Sequence, residues 1–329
     1  MVQAGTYSES IDLSGKNILV KGVNSGTTIL DGGSSQRLVY LNSAGTTASI
    51  KNFTIQNGSA TNGAAIYIDN STFVIDSCII INNNSNNSII HVDSSTVQIK
   101  HTLIANNTCT NSSNSYGAIV TYFNTTLTLD FVTVAYNVRG GLFSHESTSN
   151  HTVRNSIFWN PTASEEIGRR ASGAIMNLSY VVTSTEIIGC TDNSDFNCSG
   201  MSTSDPLFTD SDNGDYTLQQ TSPAIDAGDP DLDGDGINET EDDVIYILSL
   251  STVLKEVNSS APRVRDAIIT ELGQLGCAAG EDECTSANAA EQLNDLIAST
   301  DEQLGGSYEI PSQTTIDLVV GEMYEDDGS

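Results

Sequence analysis

The sequence predicts a mainly β protein, a solenoid of stacked parallel strands over residues 1–230 followed by a small helical region with a terminal strand. Two observations carry this. The first is a repeat: IKNFTIQN (50–57), IDSCIIIN (75–82), IKHTLIAN (99–106), LDFVTVAY (129–136) and VRNSIFWN (153–160) recur about once per two dozen residues, a period that marks stacked repeats. The second is the pattern inside each segment. Positions 1 and 6 are always apolar and position 4 usually is, with Thr102 and Ser156 as exceptions.

Each segment reads as two short strands meeting at a bend. Period-two alternation places Phe53 and Ile55 on one face. The Asn and Gly clusters between segments suit left-handed backbone and bond their own turns. One such coil cannot bury its apolar face alone, so coils must stack. Ile50, Ile75, Ile99, Leu129 and Val153 are expected to form one internal row. Positions 5 and 7 then point outward, which leaves Ile79, Ile81, Leu103, Ile157 and Trp159 needing a cover. Either the C-terminal helices fold over this face, or a second subunit does. In the second case a weakly capped first coil that receives a partner's edge would build a filament.

Phe53-Thr-Ile-Gln-Asn57 followed by Gly63-Ala-Ala-Ile66 resembles the paired "FxxN" and "GGAI" repeats of bacterial surface β-helix proteins. It departs by one residue before Asn57 and by Ala64 in place of the second Gly. Echoes follow at Gly117-Ala-Ile119, Gly140-Gly-Leu142 and Gly173-Ala-Ile175. Gly5-Thr-Tyr7 with Ile29-Leu-Asp-Gly-Gly33 is similar to early coils. Asp205-Pro-Leu-Phe208, Gly214-Asp-Tyr216 and Ser222-Pro-Ala-Ile-Asp-Ala-Gly-Asp229 are similar to a last coil. The stretch 1–230 thus resembles right-handed parallel β-helix proteins of the pectate-lyase-like superfamily, of the bacterial or archaeal surface type. Only four residues precede Gly5, where such proteins usually carry a cap.

Residues 231–243 form an acidic hinge. Asp231, Asp233 and Asp235 occupy positions 1, 3 and 5 of a calcium loop, Gly236 its sharp turn, and Ile237 a backbone carbonyl. Glu239 and Asp242 take positions 9 and 12. The loop resembles EF-hand-like, dockerin and thrombospondin-type calcium repeats, with Asp242 shorter than the usual Glu. The expected cofactor is Ca2+. The competing reading is a solvated acidic linker.

Three short helices are expected in 244–329 and just before it. The first spans about 241–257, the second is opened by Pro262 and closed by Gly276, and the third runs from Ser286 to Gly305–Gly306. Thr314 to Val320 reads as a strand before an acidic tail. Cys190/Cys198 and Cys277/Cys284 are close pairs suited to clipping loops in an oxidising compartment.

The chain has 329 residues and a formal net charge of −30. Such an acidic protein repels phosphate backbones, which excludes nucleic acid as a partner. Without a long apolar run, no membrane span is expected. Sequons at Asn52, Asn57, Asn70, Asn83, Asn86, Asn106, Asn111, Asn124, Asn150, Asn177, Asn197, Asn238 and Asn258 are about twice the chance number. They point to a secreted glycoprotein, or else Asn-rich turns beside Ser/Thr strands produce them without glycan.

The resemblance raises catalysis, because many pectate-lyase-like proteins cleave acidic polysaccharides. Lys51 and Lys100 share a coil position with Asp76 between them, which reads as a charge ladder. Arg169-Arg170 reads as a solvated loop. His101, His145 and His151 lie near turns without a triad-like carboxylate and read as surface residues. The reading is therefore a non-catalytic, extracellular or cell-surface structural protein that associates with itself. The alternatives are a carbohydrate-binding or adhesive module whose partners are surface glycans, and less favoured a polysaccharide lyase or hydrolase. Aromatic platforms would favour binding, but Tyr and Phe look scattered.

Overall fold

The computed structural model describes residues 1–113, 116–146, 148–192 and 195–229. The expected calcium loop at 231–242, the helices and strand expected beyond it, Cys277, Cys284, Asn238 and Asn258 lie outside the described residues.

The described chain is a parallel β-solenoid, and its strands stack in three rows. The first row holds Gly5–Tyr7, Thr28–Asp31, Thr54–Gln56, Ile79–Ile81, Leu103–Ala105, Thr133–Ala135 and residues 157–159. The second holds Ile11–Asp12, residues 39–42, 66–69 and 90–93, then Gly117–Thr121, Leu142–Ser144 and Ile167–Arg169. The third runs from Leu19–Lys21 through 49–51, 74–76 and 98–100 to Phe196–Ser199.

The expected internal row is present. Val20, Ile50, Ile75, Ile99, Leu129, Val153 and Leu178 are successive register partners in the third row. From Ile50 onward each is at most 1% exposed. Leu30, Ile55, Ile80, Ile104, Val134 and Phe158 line the first row, and Val39, Ile66, Ile90, Ile119, Leu142 and Ile167 the second. Burying each such side chain contributes about 1.5–3 kcal/mol, which only stacking makes available.

The bends explain the abundance of Asn. Asn52, Ser77, His101, Phe131, Asn155 and Tyr180 turn the chain between the third and first rows, all with φ near +50° to +60°. Asn57, Asn82, Asn106 and Tyr136 do so after the first row, and Asn70, Ser94 and Asn124 before the third. Asn bears this left-handed backbone better than other side chains. Five sequons, at Asn52, Asn57, Asn70, Asn106 and Asn124, are therefore bend residues, each with a Ser or Thr two places on. Gly140 takes φ +95, and a Cβ there would stand 2.2 Å from the Glu165 carbonyl oxygen.

Inside the bend after the first row runs a ladder of buried amides. Asn83 Nδ2 donates to Asn107 Oδ1 (3.0 Å), Asn107 Nδ2 to Asn137 Oδ1 (2.9 Å) and Asn137 Nδ2 to Asn160 Oδ1 (3.2 Å). The same nitrogens also donate to strand carbonyls, such as Ile80 from Asn107 and Ile104 from Asn137. Backbone acceptors that the bend leaves without partners are satisfied in this way.

Two resemblances place differently. Ile175 of Gly173-Ala-Ile175 pairs with Asn150 in the third row, while the coil after Leu142 is continued by Ile167. Residues 205–229 do not form a last parallel coil. Phe208–Asp210 and Asp215–Leu218 pair antiparallel, because Ser211–Asn213 makes a 3-10 turn closed by Gly214 at φ +82 and reverses the chain. The solenoid's downstream end is instead packed by Ile187, Phe196, Cys198 and Met201. The expected Cys190–Cys198 disulfide clips the loop there, around the short helix Gly189–Asp192.

Candidate functional site

The outward face of the second row carries a continuous stack of rings. Tyr40, Tyr67 and His91 are register partners on successive coils. Their neighbouring centroids lie 5.4 and 4.6 Å apart, with interplanar angles of 23° and 11°. Tyr122 follows at 4.9 Å from His91, His145 at 4.8 Å from Tyr122, and Tyr116 at 5.2 Å from His145. The Arg37 guanidinium lies 4.5 Å from the Tyr67 centroid and 5.4 Å from that of Tyr40. It is fixed by donating from Nε to Gly63 O and from Nη2 to Asn62 O. Tyrosine and histidine are thus not scattered. The signal is in the sequence: Tyr40, Tyr67 and His91 are spaced by about one coil, outside the apolar anchors that define the repeat.

Carboxylates flank the rings. Asn42, Asp69 and Asp93 are register partners two residues beyond Tyr40, Tyr67 and His91. Partial burial and then the Asp93 charge push the Asp69 carboxyl above its ordinary range. Burial lifts the Tyr122 hydroxyl to about 12, helped by Tyr116, Asp93 and Glu146. His91, 6% exposed, is held down to about 4 by burial first, then by Arg37 and His145. At neutral pH it is an uncharged ring, which lets it stack as Tyr does.

Of His101 and His151, only His101 is a surface residue as expected. His151 is fully buried, bonds Thr121 Oγ1 through Nε2 at 3.0 Å, and is pushed down to about 4, mainly by burial. His101 Nδ1 lies 3.2 Å from Asp76 Oδ1, beside Lys51 Nζ at 2.9 Å and Lys100 Nζ at 4.0 Å from Asp76 Oδ2. Burial raises the Asp76 carboxyl, but bonds from His101, Lys51 and Ser77 outweigh it and hold it well below the usual range. Lys51, Asp76 and Lys100 are the charge ladder expected. Arg169 and Arg170 are paired, with Asp195 (2.7 Å) and Glu165 (2.8 Å), rather than free in a loop.

Ile79, Ile81, Leu103, Ile157 and Trp159 lie on the outward side of the first row and are each half-buried, while Ala105 and Ala135 of the same face are fully buried. Nearby, Phe208 and Tyr216 of the antiparallel hairpin pack on Tyr136 at 6.4 and 6.0 Å, and Asp229 N donates to Asn155 Oδ1 at 2.6 Å. Among the sequons, Asn70, Asn86, Asn106, Asn124, Asn150 and Asn197 are exposed; Asn52, Asn57, Asn111 and Asn177 are half-buried. Asn83 is 1% exposed and spends its amide in the ladder. A glycan there would have to break those bonds.

Chemically, the stack spends its ring faces on itself. Tyr67, His91, Tyr122 and His145 each have a ring against both faces, so none offers a free face for a sugar to lie on. What remains outward is a strip of half-buried hydroxyl edges and carboxylates. Among the described residues, no three His, Cys, Asp or Glu side chains are placed to hold a metal together. No model of a known protein family matches the chain, and no curated protein is similar to it.

Proposed function

We propose that this chain is a non-catalytic structural protein of an extracellular surface, with a β-helix of the pectate-lyase-like type as a rigid, self-associating spacer. The observation that supports this best is how its chemistry-bearing side chains are used. Rings stack on rings, Asn83, Asn107, Asn137 and Asn160 bond one another, and Asp76 is enclosed by Lys51, Lys100 and His101. Groups held in this way stiffen a rod and leave little free for a substrate. The disulfide Cys190–Cys198 fits an oxidising compartment. In this reading the exposed sequons carry glycan, and Asp231, Asp233, Asp235, Ile237, Glu239 and Asp242 bind Ca2+.

The test is electron microscopy of the protein purified from its own cells, with immunogold labelling of intact cells. Rods or fibres on the outer surface are expected. A cytoplasmic label, or polysaccharide cleavage by the purified protein, overturns the proposal.

A second reading, adhesion to glycans, draws on the half-buried Tyr67, Asp69 and Asp93 strip. A glycan array decides it: binding that Asp69→Asn and Asp93→Asn weaken would favour adhesion.

A further inference from the structure

We infer that the leading edge of the third row is the glycosylated edge of the rod, with Asn70, Asn124 and Asn150 as the acceptors of N-linked sugar and the other described sequons bare. The inference rests on the reading of a glycosylated surface protein and narrows it to named sites.

Three conditions decide whether a folded chain holds such a glycan. The Asn side chain must face solvent, the hydroxyl two places on must be reachable, and an amide hydrogen must be free for replacement. In the transfer, Nδ2 bonds the anomeric carbon of a sugar carried on a lipid phosphate. The bond from that carbon to the phosphate oxygen breaks, the lipid phosphate leaves with the electron pair, and one amide proton goes to solvent. A glycan added before folding meets the same limits, because the fold must then leave it outside.

Asn70 and Asn124 meet all three conditions. Both are exposed, and their side-chain amides are free among the described residues. They hold the same left-handed bend before the third row, at φ +51 and +47, on coils two apart. Thr72 and Thr126, two places on, are exposed and share one outward column with Thr96 of the coil between them. Asn150 stands in that column as the register partner of Thr126. It is exposed, and its oxygen accepts from Asn177 Nδ2 at 3.1 Å while its own nitrogen stays free. Thr152, two places on, is half-buried.

The other sequons each fail a condition. Asn83 is buried, and its amide donates to Ile55 O, Ile81 O and Asn107 Oδ1. Asn86 is exposed, but Ser88 at its third place is buried and its hydroxyl accepts from Gly63 N. Asn52 is half-buried, and the Thr54 hydroxyl is spent on Ser25 O. Asn57, Asn111 and Asn197 donate from Nδ2 to Asp31, Asn87 and Asn177, which turns each amide along the coil stack. Asn177 donates to both Asn150 Oδ1 and His151 O. Asn106 lies against the Tyr216 hydroxyl that the hairpin brings to it. Among the described residues, no sequon Asn lies in a strand of the first or second row. The ring stack and the apolar outward face are thus left clear of sugar.

The experiment is peptide mapping by mass spectrometry of the chain purified from its own cells. Enzymatic removal of N-glycans in heavy-oxygen water marks each occupied Asn as a labelled Asp. Label is expected at Asn70, Asn124 and Asn150, and none at Asn83, Asn86 or Asn177. A gain of sugar tests the edge itself. Ser94 holds the same bend on the intervening coil, at φ +46, with Thr96 two places on. Ser94→Asn completes Asn-Ser-Thr there and should add a fourth glycan while keeping the wild-type circular dichroism. A bare Asn70, Asn124 or Asn150, label at Asn83 or Asn177, or a folded Ser94→Asn without added sugar overturns the inference. A chain with no sugar at all that still labels as a surface rod defeats the glycosylated edge alone and leaves the structural reading standing. Sugar at the three sites on a chain that forms no rods keeps the edge and defeats the structural reading.

Discussion

Asn160 and Glu166 close the amide ladder. The Asn160 backbone N–H donates to Glu166 Oε1 at 2.5 Å, and Asn160 Nδ2 donates to Oε2 at 2.6 Å. The amides from Asn83 to Asn160 all point their N–H groups the same way, so their dipoles add toward Glu166. A carboxylate, which only accepts, is the fitting end for such a chain. Ser184 Oγ donates to it as well.

Glu166 to Gln therefore has a definite expectation. Gln puts an N–H₂ opposite a donor, so one bond is lost and two donors face each other, at about 1–3 kcal/mol at pH 7. Burial raises the Glu166 carboxyl above its usual range. A raised folded value means that its contribution is greatest at low pH and is lost as pH rises through that value. Protonated Glu166 carries one donor where Gln carries two, and by the same linkage wild type gains on the variant in acid, so the gap should widen on acidification. Urea unfolding at both ends of the pH range checks this, and a gap that narrows in acid defeats it.

Asn137 tests the middle of the ladder. Its amide nitrogen donates to Ile104 O (2.8 Å) and Ala135 O (3.2 Å), while its oxygen accepts from Asn107 N and Nδ2. Alanine takes these bonds from the Ile104 and Ala135 carbonyls and from Asn107 N, while Asn107 Nδ2 keeps Ile80 O and Ala105 O, and it should cost about 3 kcal/mol or more. Aspartate keeps the shape but turns an acceptor toward two carbonyls, and should be worse. Equal stability of wild type and Asn137→Asp in chemical denaturation would remove the ladder from the account.

The apolar rows were legible because Ile50, Ile75 and Ile99 announce the coil period and burial demands it. The ladder was half legible. Most of the repeat segments end on Asn, but Asn57, Asn82 and Asn106 are the left-handed bend residues, and the buried amides are mostly one place further on. Nothing in composition separates the two roles; only backbone geometry does. His91 was missed because histidine reads as polar, yet burial keeps it neutral and planar in a tyrosine stack. The hairpin over 205–229 was misread because Gly214 and Tyr216 match a coil motif, while the turn at 211–213 decides strand direction.

The disulfide Cys190–Cys198 encloses a short loop, and in the chain-entropy view its loss costs about 2–3 kcal/mol. The effect should be local. Cys190→Ser with Cys198→Ser is expected to speed proteolysis near Ile188, which is 75% exposed, while the earlier coils keep their protection. Limited proteolysis with mass spectrometry reads both. Uniform loss of protection from residue 1 onward would show that the solenoid unfolds as one unit.

The two buried histidines set a pH dependence. His91 and His151 are each held to about 4, with burial the main cause at both. The groups near His91 are Tyr67, Tyr122, His145, Arg37, Asp69 and Asp93. In the unfolded chain both rings take up protons near pH 6.5. The unfolded state thus binds protons first, so the stability these rings lend is complete above about 6.5 and is lost as pH falls toward about 4. Each ring sets an upper limit of about 3 kcal/mol on that loss. His91→Tyr extends the Tyr40–Tyr67 stack with a ring that does not titrate here, and should remove about half of the slope. His151→Gln keeps a partner for Thr121 and should remove much of the rest. Unfolding free energies measured in urea from pH 7.5 to 4.5 decide the matter. If both variants keep the wild-type slope, the buried rings are not its source.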